Sequence, residues 1–468
     1  MKSNKKHALI LVLPVAAALL TGCQFVPNYF KPSAPIPEAF PIATENGARL
    51  AADIGWREFF KDPELQEVIA AALANNRDLK TAALQIAEAR AMYDIQEADK
   101  LPTINAISGV TRSRQLLASS TPINRTVYQV GAAMTAFELD LYGRIKNLSQ
   151  AALAQFFATE EAHHAVQILL IGEVSKAWLN ERALTEQVQL ATRTLKGREE
   201  SYVIVKKRFD AGITNALELR QSDTLVQSAQ VSMLSLKRLQ AQSMNALALL
   251  VGNSIKASTS STSLSSNNIT AEIGAGLPSE LIAHRPDIRA AEQRLRSLQA
   301  NIAAARAAFF PRISLTAGLG LASTDMSNLF SGNSNTWSFA PLITLPIFDN
   351  GRNKASLNLA EVRSEIAVSN YEKTIQVAFR EVADALAARA MLGEEITAQQ
   401  AVQKSQSARL ELAQARYKNG IANYLEVLDA ERELFAVEQQ LLQMRLLKLT
   451  NAIDLYRSLG GGLNEVSK

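Results

Sequence analysis

One cysteine in 468 residues leaves no partner for an intrachain disulfide. The same scarcity removes the usual thiolate ligands of a structural zinc site. Histidine is nearly as sparse, with only His7, His163, His164 and His284. His163 and His164 are adjacent in a helical stretch, so their rings point to different sides and make poor co-ligands. The eight methionines do not cluster, and no resident metal is expected. Gly318-x-Gly320 lacks the spacing of a dinucleotide loop. No set of nucleophile, base and orienting acid emerges, so no catalytic residue is assigned. Charge of one sign is also missing: 49 Lys and Arg stand against 45 Asp and Glu. Loss of Lys2, Lys5 and Lys6 with an N-terminal leader would bring the net +4 to about +1, too balanced for nucleic acid to be the partner.

Long apolar runs are absent as well. After the N-terminus nothing approaches the ~18 apolar residues of a membrane-spanning helix. Proline is missing from residues 123–277 and 347–468, although the chain contains 14; those regions are expected to be helical.

What is present begins with Lys2, Lys5 and Lys6, the apolar run Ala8 to Leu20, and Leu20-Thr21-Gly22-Cys23. Residues 1–22 have the form of a secretory signal peptide, too short to span a membrane. Leu20 to Cys23 resembles the bacterial lipobox, whose cysteine is acylated and becomes the first mature residue; the alternative for Cys23 is an incidental buried thiol. Several acyl chains on one residue give stable anchoring. In that resemblance an aspartate after the cysteine retains a protein at the inner membrane; Gln24 favours the outer one. Residues 23–75 are then a lipid-anchored N-terminal segment, extended over Pro27–Pro41 by its five prolines.

The rest is duplicated at an offset of about 208 residues. Asn76-Arg77-Asp78-Leu79 matches Arg285-Pro286-Asp287-Ile288, and Gly143-Arg144 matches Gly351-Arg352. Arg208-Phe209-Asp210-Ala211-Gly212-Ile213 matches Arg416-Tyr417-Lys418-Asn419-Gly420-Ile421. The repeats are 76–252 and 277–460, separated by a Ser/Thr-rich linker at 253–276 and followed by a tail, 461–468. Each predicts an amphipathic helix (Leu79–Lys100, Ile288–Ala308) and two strand-like stretches. A long helical hairpin follows, turning at Gly212 or Gly420. Leu428, Phe435, Leu442, Leu449 and Tyr456 recur every seven residues beside Val427, Leu434 and Leu441, with Leu219, Val226 and Met233 as the echo in repeat one. Two apolar stripes predict coiled-coil packing on both sides of a helix.

The strand-like stretches are Thr103–Arg114, Thr126–Asp140, a stretch from Ile313 to Leu321 and one from Trp337 to Ile347. The last two alternate with period two; Ile107 and Phe137 fall out of phase in the first pair. Alternation fits either transmembrane β-strands or a soluble sheet on a core. The anchor and the long helices decide for the membrane, with Trp337 and Tyr128 at its interface. Four strands cannot close a barrel, so several chains must share one.

With these features in place, residues 23–460 resemble the TolC-like outer membrane factor family, in its lipoprotein branch serving resistance-nodulation-division (RND) efflux pumps. The most specific elements are the lipobox, Arg208-x-x-x-Gly212 with Arg416-x-x-x-Gly420, and Tyr424-Leu425-Glu426-Val427-Leu428-Asp429-Ala430. The resemblance implies a mainly α fold with a membrane β part. Three chains would share a 12-stranded barrel, continued by a periplasmic α-helical coiled-coil barrel with an equatorial belt. It implies an outer-membrane exit duct, partnered by a periplasmic adaptor and an inner-membrane RND pump, with no cofactor beyond the lipid on Cys23. Glu426 and Asp429 match the acidic periplasmic gate, against the alternative of ordinary solvated acids. Tyr417 and Glu218 match a polar contact of the closed state, although Ala422 replaces an arginine found there in some members. Gly212, Ile213, Gly420 and Ile421 would be the adaptor-docking turns, or simply turns. A channel for type I protein secretion and a pore-less lipid-anchored scaffold are the alternative functions.

Overall fold

The computed structural model describes residues 29–42, 49–116, 122–254, 264, 269 and 273–466. Cys23, the expected signal peptide and most of the linker lie outside these residues. In chain order come α1 (Pro63–Asn75), α2 (Arg77–Ala98), β1 (Ile104–Leu116), β2 (Pro122–Leu139), α3 (Arg144–Asp210) and α4 (Ala216–Val251). The series then repeats as α5 (Pro278–His284), α6 (Pro286–Ala307), β3 (Arg312–Ser323), β4 (Asn335–Thr344), α7 (Arg352–Lys418) and α8 (Tyr424–Ser458). Helices α2 and α6 have 22 residues each, and α3 and α7 have 67 each. At 1.5 Å per residue the latter are each ~100 Å long. Helices α2 and α6 start two residues before the sequence expectation. Asn76 Oδ1 accepts the Leu79 amide at 2.9 Å and so caps α2, while Pro286 takes a first-turn position where its missing N–H costs nothing.

The chain divides into two compact units. The first comprises residues 29–33, Gln85–Thr159 and Ala290–Tyr371 and holds the sheet. Its four strands run in the order β1-β2-β3-β4, every neighbouring pair antiparallel. Register sorts the side chains. Leu139, Ile313 and Ile343 stand in one row, and Met134, Ala317 and Phe339 in another on the same face. The opposite face carries rows such as Gly131, Gly320 and Thr336, and Ala133, Gly318 and Ser338.

The two phase errors of the sequence have separate reasons. Between Met134 and Phe137 the β2 chain advances three residues against two on β3, a bulge that passes through Ala136 at φ 50°. The extra residue returns Phe137 to the apolar face, in register with Leu315. Ile107, in contrast, pairs with Gly131 and belongs to the small-residue face. The alternation read to Ile347 overshoots: β4 ends at Thr344, because Pro346 has no amide to continue the ladder. Pro341 is tolerated on β4, the strand at the end of the sheet order. At the base of the sheet Arg144 grips Glu138 with two hydrogen bonds of 2.8 Å, and Arg312 approaches the same carboxylate to 3.2 Å. One carboxylate thus ties β2, β3 and α3.

The second unit comprises Ala34–Leu84, Glu160–Arg289 and Glu372–Lys468. Its core joins residues 54–60 to the end of α8 and the residues after it. Phe59 stacks on Tyr456 at 3.9 Å, the Tyr456 hydroxyl donates to the Ile54 carbonyl at 2.6 Å, and the Trp56 amide donates to the Asn464 carbonyl. Each repeat closes with the same joint. Asn76 Nδ2 donates to the Leu250 carbonyl at 2.7 Å, and Arg285 Nη1 to the Ser458 carbonyl at 3.0 Å. Beside them Gly252 and Gly460 sit at φ 75° and 82°, where a Cβ would lie 2.5 Å from Asn75 O and 2.9 Å from His284 O. In repeat one Leu219, Val226 and Met233 are half-buried, with Leu219 and Met233 packed against buried clusters, and Ser222, Ala229 and Leu236 form a fully buried stripe of α4 beside them.

Gly252→Ala and Gly460→Ala should each destabilise the fold, by roughly 1–2 kcal/mol for the left-handed backbone and further for the overlap with backbone carbonyls. Gly212→Ala and Gly420→Ala should cost the backbone share only, because a Cβ there meets nothing within 4 Å. Thermal unfolding followed by helical circular dichroism ranks the four variants.

Candidate functional site

The hairpin turns of the second unit bring the sequence-predicted residues together. At the end of α3 the Ile213 amide donates to the Arg208 carbonyl at 2.8 Å and Gly212 to Phe209 at 2.9 Å; at the end of α7, Ile421 and Gly420 donate to Arg416 and Tyr417 at 2.9 and 3.0 Å. This paired closure requires a left-handed residue, and both glycines adopt φ 72°. Asn215 and Asn423 then cap the returning helices, their side-chain oxygens accepting the amides of Glu218 and Glu426 at 3.0 and 3.3 Å. Ile213 and Ile421 are 66% and 70% exposed, too open for the hydrophobic contact that usually accompanies such a turn.

Glu426 lies in the first turn of α8 and Asp429 three residues on, both partly exposed. Neither carboxylate stands alone. Glu426 is 3.1 Å from Arg416 Nη1 across the turn, and Asp429 is 3.3 Å from Arg432 Nη2 one turn ahead. Such exposed pairs add little stability, but they lower the negative charge that each chain presents at this end.

Tyr417 and Glu218 meet without forming a hydrogen bond: the phenol oxygen is buried with no partner among the described residues. Burial first, and the neighbouring Glu218 carboxylate second, push the Tyr417 hydroxyl up to about 12, against the opposing pull of Arg208. The Arg208 guanidinium lies 4.6 Å from the centre of the Tyr417 ring, and the Tyr424 ring is 5.1 Å away on the other side. Val205, Ala413, Tyr424, Val427 and Leu428 are buried together around this contact, so both hairpins share one apolar plug.

Residues that sequence reasoning missed lie just behind the plug. Arg198 is buried to 7% exposure, donates from Nη1 to the Leu225 carbonyl at 3.2 Å and lies over the Phe435 ring. Burial lowers its affinity for its proton, with Glu431 and Tyr424 opposing. Burial likewise raises the Glu431 carboxyl, which Arg198 only partly offsets, and one Glu431 oxygen has no partner among the described residues. A signal existed: Leu184, Ala191, Arg198 and Val205 are spaced by seven and all buried, so the arginine occupies a core position of a heptad. Arg208 and Arg416 were visible as motif residues, but not their contacts with Tyr417 and Glu426.

A sheet with one apolar face, strands of 10 to 18 residues at its two ends of length, and capped hairpins on 67-residue helices define a class, the outer-membrane channel proteins that pair β-strands with a helical tunnel. The chain belongs to the family described as "Outer membrane efflux protein", whose profile matches residues 68–253 and again 277–461. It is 43% identical over 457 residues to the cation efflux system protein CusC of Escherichia coli O6:H1, covering 96% of this chain and 98% of that protein. It is 43% identical over 463 residues to the toluene efflux pump outer membrane protein TtgI of Pseudomonas putida, covering 96% and 98%. Among solved structures, the open state of the Neisseria gonorrhoeae MtrE outer membrane channel has a TM-score of 0.87 at 38% identity, covering 95% of this chain and all of that one. The protein is an outer-membrane efflux channel subunit.

Because burial raises the Glu431 pKa, the folded state holds that proton more tightly than the unfolded chain. Its stabilising share is full below the ordinary carboxylate pKa and is lost as pH rises through the raised value. Glu431→Gln should therefore raise the melting temperature at neutral pH and leave it nearly unchanged in mild acid. Melting curves at the two pH values test this; equal shifts at both would remove the buried charge as the cause.

Proposed function

We propose that three copies of this chain form the exit duct of a tripartite RND-type efflux system, carrying drugs or other small toxic compounds outward without catalysis. The sheet carries the reading: its apolar rows suit lipid, while β1 and β4 each have one neighbour in the chain. Three sheets of four strands close a 12-stranded barrel with no open edge. The apolar faces left on the long helices, such as Ile366 and Leu412, pack against neighbouring copies and extend the barrel into the periplasm. The cargoes named for the relatives differ, a cation for one and toluene for another, which supports a conduit that leaves selection to the pump.

The remaining roles follow from position. Cys23 carries the lipid anchor, and the chain ends with residues 253–276 form the equatorial belt. Glu426 and Asp429 ring the periplasmic opening, three of each around the axis, and discriminate by charge to the extent that Arg416 and Arg432 leave them unneutralised. Tyr417, Glu218 and Arg208 hold the hairpins of a subunit together in the closed state. The turns at Gly212, Ile213, Gly420 and Ile421 present the exposed isoleucines to the adaptor.

Glu426→Gln combined with Asp429→Asn should lower the preference for cations over anions in planar-bilayer recordings of the reconstituted trimer. Reversal potentials in a salt gradient give the ratio; an unchanged ratio would take the gate away from these two residues.

A further inference from the structure

The stretch that follows the expected anchor is held by a clasp on α6, within the first unit. The largely buried Glu292 carboxylate receives three donors: Tyr29 Oη at 2.7 Å, Lys31 Nζ at 2.8 Å and Arg296 Nη2 at 2.7 Å. Gln299 reads the backbone between them in both directions, accepting the Phe30 amide at 3.2 Å and donating to its carbonyl at 3.0 Å. The Arg296 guanidinium also lies 4.4 Å from the centre of the Tyr29 ring, and Pro32 is buried. Burial alone would raise the Glu292 carboxyl, but the hydrogen bonds from Lys31, Tyr29 and Arg296 outweigh it and hold it below the ordinary range. Three side chains of α6 converge on three consecutive residues of the strap, far more than an idle tether needs.

Distance gives the clasp a purpose. Arg296 stands 11 residues before the end of α6 at Ala307, ~16 Å along the helix axis, and β3 begins just beyond. Cys23 is six residues before Tyr29, so the chain between them reaches at most ~20 Å. Glu292 and Gln299 stand ~22 and ~12 Å before that end, so an extended leash spans a distance of the same order.

We propose that Glu292 and Gln299 fix Tyr29 to Lys31 at a set distance below the sheet, so that the acyl group on Cys23 enters the membrane beside the base of its own subunit's sheet. The clasp meters the leash. This rests on the lipid-anchor reading of Cys23.

The test uses the full-length protein in membrane vesicles whose periplasmic face is outward and, separately, in detergent, with chymotrypsin as the probe of Tyr29 and Phe30. Wild type should be cut slowly in both. Glu292→Gln with Gln299→Ala should be cut at least tenfold faster, with the amount of trimer on a gel unchanged; cutting at the wild-type rate would overturn the clasp. Deleting residues 25–28 keeps Gln24 after the cysteine but shortens the reach to ~7 Å. That variant should be cut tenfold faster in vesicles than in detergent, where the acyl chains are no longer fixed in a bilayer. Equal protection in the two would overturn the metering. The mass of the mature N-terminus reports acylation independently. An unacylated Cys23 sinks the anchor reading and the metering with it, whereas an acylated Cys23 with an unprotected strap sinks the clasp alone.

Discussion

A backbone amide or carbonyl without a partner in hydrocarbon costs several kcal/mol, and β1 and β4 each turn a row of them away from the chain's own sheet. No change of side chain relieves this, because the groups belong to the main chain. Only another strand does, and the first one available is that of an identical copy. The apolar row of Met134, Ala317 and Phe339 states the medium, and the sheet order states the need for neighbours. The long helices pose the same need in water, where exposed Val231, Ile366 and Leu412 leave apolar surface uncovered. One assembly answers both.

Duplication explains how a single chain serves two kinds of wall. The joint of each repeat solves one packing problem, a helix C-terminus lying against the start of a shorter helix, with glycine removed of its side chain at the contact. The polar partner differs: Asn76 makes one neutral bond to Leu250, while Arg285 also pairs with Asp287 and Glu381. At the far end the repeats diverge again. Repeat two has Glu426 and Asp429, and repeat one has Glu218 and Gln221. The halves keep the architecture and divide the electrostatics.

Much of this was legible in the sequence. The 208-residue offset located both turns, because glycine at a left-handed position is a local requirement, whereas the lack of proline overreached: residues 123–139, expected to be helical with the rest of 123–277, belong to β2. Period two located the strands but not their phase, since Ala136 carries no sign that the backbone will bulge there. The end of β4 was misjudged because Leu345 and Ile347 continue the hydrophobic pattern past the point where Pro346 stops the hydrogen bonds. In the site, positions were readable and partners were not. The motif fixed Glu426 and Asp429 on one helix, but their pairing with Arg416 and Arg432 depends on how a turn folds back and on rotamers. Arg198 shows the converse, a charged residue at a heptad position where its neighbours bury it.

Buried polar groups without partners are spread through the second unit, and the proposed gate lies beside several of them. Around Tyr456 the packing is satisfied: the ring stacks on Phe59, its hydroxyl has the Ile54 carbonyl, and the Trp56 amide is hydrogen-bonded to the Asn464 carbonyl nearby. Arg457 Nε has no partner there among the described residues, and neither do Trp178 Nε1 and Gln187 Nε2 farther along α3. At the hairpin end Tyr417, Ser222, Glu431 and Arg198 each leave a buried polar atom without a partner among the described residues, and Ile213 and Ile421 lie open to solvent. A buried polar atom left unpaired costs ~1–3 kcal/mol, so a rearrangement that hydrates or pairs these groups recovers part of what separating the apolar plug would lose. Moving elements are drawn from the less stable parts of a fold, and the unpartnered atoms and open isoleucines beside Glu426 and Asp429 make this end a candidate for one.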